Sequence, residues 1–119
     1  MATKSTISVI RWDDCNKAIT LRSNGNPVNL TGSVIFFTVK DKNKIKADND
    51  DTYIIKKDIT EHIDAEAGKT ALILTNTDTK VPTWIYIYDF QIKTSGWEIH
   101  STLKGEFIVL EDVTKRTSI

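Results

Sequence analysis

The chain has 119 residues, the size of one domain; 39% of them are apolar and 27% are charged, which excludes a disordered or low-complexity protein. Lys and Arg number 16 and so do Asp and Glu, so the chain lacks the net positive charge that supports nucleic-acid binding. The one cysteine, Cys15, excludes an internal disulfide and favours synthesis in a reducing cytoplasm. We also expect no secretion signal and no membrane-spanning segment.

Alternation of apolar and polar residues with a period of two recurs along the chain and predicts β-strands. In chain order, the predicted strands are 7–12, 17–22, a short piece at 28–30, 33–40, 52–57, 69–75, 84–93, 97–104 and 106–110. Residues 76–79 are typical of one helical turn, which Pro82 ends. No stretch predicts a parallel βαβ unit.

Turn sequences separate these strands. Asn24-Gly25 and Ser95-Gly96 are typical of tight turns, and Gly105 predicts a bulge or bend before the last strand. About eight short strands at roughly ten-residue spacing predict an all-β fold, an antiparallel β-sandwich of immunoglobulin-like type. We expect residues 1–119 to form this single domain, with flexible ends at 1–6 and 115–119.

Two strands have the strongest apolar patterns. The strand at 33–40 is apolar on both faces, which is typical of a central strand or of one that contacts a partner; Ile35, Phe37 and Val39 share one face, and Val34 and Phe36 lie on the other. The strand at 84–93 has one apolar face, formed by Trp84, Tyr86, Tyr88, Phe90 and Ile92. This pattern predicts that Trp84 belongs to the core.

The sequence contains no recognisable catalytic or metal-binding motif. His62 and His100 lie in different predicted segments, whereas a zinc site needs several Cys or His residues at short spacing. No nucleophile or phosphate-loop motif is present, and no local signature supports a Cys15–His100 dyad. The acidic run at 48–51 lacks the glycine and the closing glutamate of an EF-hand, so we interpret it as a solvated loop. We therefore predict no enzymatic activity, no cofactor and no metal.

Lysines and tryptophans are the candidate contact residues. Lys40, Lys42, Lys44 and Lys46 alternate, so in an extended chain their ammonium groups would line one side. Such a row either protects a sheet edge from aggregation or meets an anionic partner. Trp12 and Trp97 are the tryptophans expected at the surface, where aromatic rings serve protein interfaces or stack on sugars.

The order of the motifs adds a resemblance. The segments that carry it are Asn26-Pro27-Val28-Asn29-Leu30-Thr31-Gly32, then 34–40, 56–58, 68–79, 84–92, 105–109 and 112–114. Their succession, over about residues 17–114, resembles the N-terminal domain of phage baseplate upper proteins and similar small β-sandwich modules of tailed phages, although Asn29 stands where Asp is common. The resemblance implies a structural protein of the virion, made in the host cytoplasm, in the tail or baseplate. It transfers no functional residue, because the shared positions are turn and core positions.

We therefore expect the chain to assemble with other virion proteins and with itself as a homo-oligomer, and to bind neither nucleic acid nor membrane. The predicted interface residues are Val34, Phe36, Trp97, Trp12, Lys40, Lys42 and Lys44. One alternative is a carbohydrate-binding β-sandwich module that uses Trp12 or Trp97 as its platform. Another is a non-viral adaptor domain of immunoglobulin-like type.

Overall fold

The computed structural model describes residues 3–44 and 52–113. Strands dominate this part of the chain, which contains no α-helix and one 3₁₀ helix, Lys42–Lys44. The strands are β1 (Thr3–Lys4), β2 (Ile7–Ile10), β3 (Cys15–Thr20), β4 (Arg22–Ser23), β5 (Asn26–Pro27), β6 (Val34–Lys40), β7 (Ile55–Ile59), β8 (Lys69–Leu74), β9 (Ile85–Lys93) and β10 (Ile99–Leu110). The predicted all-β fold is confirmed. Predictions for Lys46, for the acidic run at 48–51 and for the flexible end at 115–119 lie outside the described residues.

One large sheet forms the base of the fold. β1 and β2 lie one after the other along β10, followed in order by β9, β6 and β7. β3 and β8 pair in a separate antiparallel sheet, and β4 and β5 form a small hairpin. The turn of that hairpin is the predicted Asn24-Gly25, whose φ angles of 52° and 82° are those of a tight primed turn.

The large sheet is mixed, which corrects the prediction of a purely antiparallel sandwich. β1 and β2 both run parallel to β10, while the other neighbours in the sheet are antiparallel. The alternation of β2 determines which of its faces is buried, but it is equally compatible with either direction of pairing. Whether β2 runs parallel or antiparallel to β10 depends on the end of the sheet at which the chain enters β2.

The start of the chain, expected to be loose over 1–6, is bonded to the sheet from residue 3 onward. The Ser5 N–H donates to the Lys104 carbonyl at 2.9 Å, and the Tyr88 hydroxyl donates to the Ser5 carbonyl at 2.7 Å. Gly105 lies directly beside Ser5, because a Cβ added to Gly105 would lie 2.0 Å from the Ser5 carbonyl oxygen. Gly105 is therefore a point of close backbone approach within a continuous β10, and the register irregularity falls between Ser101 and Leu103 instead.

The core lies between the large sheet and the β3–β8 pair. Ile19, Leu72 and Leu74 of the pair, together with Leu21 and Leu30 of the loops, belong to one buried cluster with the inner face of the large sheet. The contributions of that face are Ile7, Val9, Ile35, Phe37, Val39, Ile55, Tyr86, Tyr88, Phe90, Ile92, Phe107 and Val109. This two-layer arrangement is a β-sandwich-like fold.

Aromatic rings fill the centre of the core. The Phe37 ring lies 4.9 Å from the ring of Phe90, 5.8 Å from Tyr88 and 6.0 Å from Phe107, between centroids, in tilted contacts. Such pairs each add about 0.5–1.5 kcal/mol beyond the burial of their area. The alternation predicted for 84–93 and 33–40 is confirmed for these inward-facing residues.

A salt bridge closes one edge of the sandwich. Lys57, at an inward-facing position of the edge strand β7, places its Nζ 2.7 Å from an oxygen of Asp78 in the turn after β8. The same carboxylate oxygen accepts hydrogen bonds from the Thr75 backbone N–H and hydroxyl. Partial burial opposes ionisation, but the Lys57 and Thr75 contacts prevail and lower the pKa of Asp78 below its ordinary value. Residues 76–79 form a single hydrogen-bonded turn, in which the Thr79 N–H donates to the Thr75 carbonyl at 3.2 Å.

Candidate protein contact surfaces

The paired strands β9 and β10 carry an exposed apolar surface at each end. We call one the hairpin tip, made of Lys93, Trp97, Glu98 and Ile99, where the chain turns from β9 into β10. The other is the sheet-end groove, where β9 begins and β10 ends, lined by Lys42, Thr83, Trp84, Ile85, Ile108, Val109 and Leu110. The nine residues of β9 separate the two surfaces by about 30 Å.

The hairpin tip holds a tryptophan in a backbone conformation that side chains rarely adopt. Trp97 has a φ of 68°, although it directly follows a glycine. Hydrogen bonds around the turn hold this conformation: Trp97 N–H to the Thr94 carbonyl, Thr94 N–H to the Glu98 carbonyl, and Glu98 N–H to the Thr94 hydroxyl. Three-residue hairpin loops normally place a glycine at the left-handed position. The sequence predicted the turn but not that Trp97 would occupy this position.

The Trp97 ring is held in place while most of it faces solvent. Its side chain is 77% exposed, and the Lys93 Nζ lies 3.7 Å from the ring centroid. Ile99, which is paired with Lys93, is 58% exposed. The ammonium group covers one face of the indole in a cation–π contact worth about 0.5–1 kcal/mol at an exposed site. The edges and the other face of the ring stay accessible.

Val34 and Phe36 share the outer face of the large sheet with this tip. Val34 pairs with Lys93, and Phe36 pairs with Gln91, and both side chains are half-buried. The structure thus brings three of the predicted interface residues, Val34, Phe36 and Trp97, to one face. Whether they contact a partner stays a prediction.

The sheet-end groove is an open apolar concavity of about 500 Å³. Ile85 and Ile108, which pair with each other on the outer face of the sheet, line it together with Trp84 and Leu110. Trp84 is 66% exposed, and Ile85 and Leu110 are 43% and 48% exposed. Ile10, paired with Leu110 and 45% exposed, continues the apolar surface onto β2. An accumulation of exposed apolar side chains of this kind is typical of a contact surface.

Trp84 corrects a sequence prediction. It was expected in the core, because it continues the alternation of Tyr86, Tyr88 and Phe90. β9 begins only at Ile85, so Trp84 lies at the end of the sheet and outside the buried cluster. Its carbonyl still accepts a hydrogen bond from Val109 at 3.0 Å, so the backbone is paired while the ring faces solvent.

The lysine row is also corrected. Lys42 and Lys44 lie in the 3₁₀ helix, where residues two apart point about 120° away from each other, so they do not line one side of an extended chain. Lys42 lines the sheet-end groove, with its Nζ 3.7 Å from an oxygen of Glu106. Lys40 is half-buried at the end of β6, and Lys44 is exposed.

Trp12 lies apart from both surfaces. It is half-buried in the loop after β2, with a φ of 68°. Its backbone N–H donates to the Thr79 carbonyl at 3.3 Å. The Lys80 Nζ lies 4.3 Å from its ring centroid. Trp12 therefore helps to join the loop after β2 to the turn after β8.

The remaining candidate groups have structural environments. The two ring nitrogens of half-buried His62 lie 3.0 Å from the Thr70 hydroxyl and 3.0 Å from the Ser33 carbonyl, so the ring bridges two segments. His100 lies 3.2 Å from Glu98. Cys15 is half-buried, and burial raises the pKa of its thiol despite the charge of Lys17.

Within residues 3–44 and 52–113, no three His, Cys, Asp or Glu side chains are grouped so that they would hold a metal ion. The same part of the chain contains no helix long and apolar enough to cross a membrane.

The fold is similar to that of known proteins, although the sequences differ widely. The N-terminal domain of ORF48 of phage TP901-1 matches with a TM-score of 0.60 and 15% identity, over 89% of this chain and 85% of that one. CopC from Methylosinus trichosporium OB3b matches with a TM-score of 0.51 and 14% identity, over 93% of this chain and 89% of that one. No protein-family model matches the chain, and no curated protein matches it in sequence. Likeness at this level of identity shows a shared fold, which many functions can use.

Proposed function

We propose that the chain is a structural protein of a tailed-phage virion, part of the tail or baseplate, and that it acts through protein–protein contacts and not through catalysis. The observation that carries the proposal is the likeness to the N-terminal domain of phage TP901-1 ORF48, which extends over most of both chains. The motif order of the sequence supports the same assignment independently. The proposed partners are other virion proteins and further copies of this chain, with no nucleic acid or membrane involved.

The surface chemistry is consistent with assembly. The sandwich buries its aromatic residues in the middle of β9 and β10 and exposes tryptophans near both ends of the pair. Tryptophan is enriched among the residues that dominate binding energy at protein interfaces. The neutral formal charge of the chain removes long-range repulsion between neighbouring copies.

Quantitative mass spectrometry of gradient-purified particles tests this proposal. Peptides of this chain should co-purify with the particles of the phage that encodes it, at a fixed ratio to the major tail protein across the gradient. A non-structural protein of the same phage serves as the control and should fall away on purification. If the chain is abundant in the lysate but absent from purified particles, the proposal is wrong.

Carbohydrate binding remains the rival function, because Trp97 is 77% exposed. A sugar platform needs a free aromatic face, and because a lysine ammonium lies over one face of both Trp97 and Trp12, at most the other face of each ring is open to a sugar. Retention on a polysaccharide column that is lost in Trp97→Ala, but kept in Trp84→Ala, would support this rival. We expect both variants and the wild type to pass through unretained.

A further inference from the structure

We propose that two copies of this chain join along a free edge of the large sheet, where β2 of one copy pairs antiparallel with β2 of the other. We call this surface the β2 edge; it is formed by the backbone of Thr6, Ser8 and Ile10. The inference rests on the proposed function as a virion building block, and it names the strand through which a second copy binds.

The backbone of the β2 edge points away from the sheet. The Ser5 and Arg11 N–H groups donate to carbonyls of β10 at 2.9 Å and 2.7 Å, and β1 and β2 share one register along β10. Because successive residues of a strand direct their N–H and C=O groups to opposite sides, those of Thr6, Ser8 and Ile10 face outwards. Within residues 3–44 and 52–113, no strand pairs with β2 on that side.

The other edges of the large sheet and of the β3–β8 pair carry features that oppose pairing. Lys57 lies at an inward-facing position of β7, and Lys17 lies at an inward-facing position of β3, opposite the buried Leu72. Inward-pointing charges are a common protection of sheet edges. The outer side of β8 is already paired at its start, where Lys69 and Asp64 exchange backbone hydrogen bonds.

β2 has none of these protections. Its inward positions hold Ile7 and Val9, which are 2% and 5% exposed, and residues 5–10 contain no charged side chain. On the outer face, Ser8 and Ile10 are exposed. An open strand edge without charge or proline is a site at which another strand adds, because its free N–H and C=O groups match those of an extended chain.

β2 is complementary to itself, which selects a second copy as the partner. In an antiparallel pair centred on Ser8, the two Ser8 residues exchange N–H···O bonds, and Thr6 of each copy lies opposite Ile10 of the other. The inward positions then place Ile7 opposite Val9, which is an apolar cross-strand pair. No like charges meet along the pair, and each copy supplies the unprotected edge that the other one needs.

The pairing also joins the outer faces of the two large sheets. Ile85, Ile108 and Ser8 lie side by side on neighbouring strands, and in the pair this row continues directly into the same row of the other copy. Contact between identical strands is isologous, so it forms a closed two-fold dimer and leaves no β2 edge free.

Sedimentation equilibrium of the wild type and of two proline variants tests the inference. Ser8→Pro removes an N–H that faces away from β10, so the chain should keep its circular dichroism spectrum while the dimer dissociation constant rises at least about 30-fold. Ala18→Pro is the matched control on β3. Because the Leu21 N–H donates to Gly68 at 2.8 Å, the Ala18 N–H faces away from β8, and this variant should dimerise as the wild type does.

Cross-linking tests the register without a proline. In a Cys15→Ala background, Ser8→Cys places two thiols opposite each other in the dimer, with Cα atoms about 5.5 Å apart. A short bis-maleimide should therefore join two chains in high yield. Ser23→Cys, on the exposed β4–β5 hairpin, is the control and should give only single chains.

Three results would each overturn the inference: a single-chain wild type up to about millimolar concentration, dimerisation of Ser8→Pro as strong as that of the wild type, or equal cross-linking at residues 8 and 23. If Ser8→Pro is lost from purified particles while the wild type is a single chain, the β2 edge binds an extended segment of another protein, and the second copy is wrong.

The two proposals fail in distinguishable ways. A chain found in purified particles that fails the dimer tests leaves the proposed function standing and removes only the β2 contact. A chain that dimerises through Ser8 but is absent from purified particles keeps the contact and loses the function.

Discussion

The middle and the ends of the β9–β10 pair use aromatic residues in opposite ways. In the middle, Tyr88, Phe90 and Phe107 are at most 1% exposed and pack together, whereas Trp84 and Trp97 near the ends are 66% and 77% exposed. The apolar alternation runs through the middle and continues to Trp84 without a break. The difference teaches that alternation determines which face a side chain lies on, while the second layer determines whether that face is buried.

The largest expected effect comes from truncating the middle. Phe90→Ala should lower the free energy of unfolding by about 3–5 kcal/mol, because it leaves a cavity among the packed rings. Trp84→Ala, an aromatic truncation at the end of the same strand pair, should change the free energy of unfolding by no more than about 0.5 kcal/mol. Urea unfolding followed by fluorescence or circular dichroism measures both. Similar costs for the two variants would break the distinction between middle and ends.

A smaller loss of stability is expected where the chain passes from β1 to β2 alongside β10. Gly105→Ala should lower the free energy of unfolding by about 1–3 kcal/mol, because the new Cβ would lie 2.0 Å from the Ser5 carbonyl oxygen and the backbone must move. Gly96→Ala, at the hairpin turn, is the control, because its new Cβ would lie at an ordinary contact distance of 3.8 Å from the Thr94 hydroxyl oxygen. An unchanged stability for Gly105→Ala would mean that β1 and β2 do not lie against β10 as described.

The salt bridge between Lys57 and Asp78, which joins the two layers at one edge, should make a pH-dependent contribution to stability. Asp78→Ala should lower the free energy of unfolding by about 1–3 kcal/mol at pH 7, because it removes the carboxylate that pairs with Lys57 and that accepts the hydrogen bond of the Thr75 N–H. The folded-state pKa of Asp78 is below its ordinary value of 3.8, so its contribution is present above that pH and disappears as the pH falls through the lower folded pKa.

The cost of Asp78→Ala should therefore shrink in urea titrations below about pH 3.8. Asp58→Ala, which removes an exposed carboxylate from the same edge strand as Lys57, is the matched control and should have little effect at either pH. A cost for Asp78→Ala that does not depend on pH would contradict the ion pair.

The smallest expected effect sharpens the description of the hairpin tip. Both Trp97→Gly and Trp97→Ala remove the ring and its contact with Lys93, but only glycine adopts a φ of 68° without strain. The glycine variant should therefore be more stable than the alanine variant by about 1 kcal/mol in thermal or urea unfolding. If alanine proves equal or better, the left-handed conformation of residue 97 is wrong.

The sequence predicted the all-β fold, most of the strands and the inward face of β6 and β9, because burial imposes a period of two on their side chains. It could not predict that β2 pairs in parallel with β10, since alternation carries no information on the direction of a partner 100 residues away. Both strong turn predictions were located correctly, yet the left-handed position at the second turn fell on Trp97 and not on the adjacent Gly96.

The candidate surfaces were predicted less completely, for a related reason. Val34, Phe36 and Trp97 could be selected because their strand or turn left them an outward position. The groove depends on where β9 and β10 stop and on the 3₁₀ helix that carries Lys42 to it, and these are products of the whole fold. In the sequence, exposed apolar residues at the end of a sheet cannot be distinguished from core residues that lie one cross-strand pair nearer its centre.

Hydrogen exchange of the wild type at two protein concentrations tests most directly whether the free edge of the sheet makes contacts while the middle carries the fold. On going from micromolar to near-millimolar protein, the amides of Thr6, Ser8 and Ile10 should gain protection together, while those of β3 and β8 should not change. Identical exchange at both concentrations, or added protection confined to β3 and β8, would contradict the account.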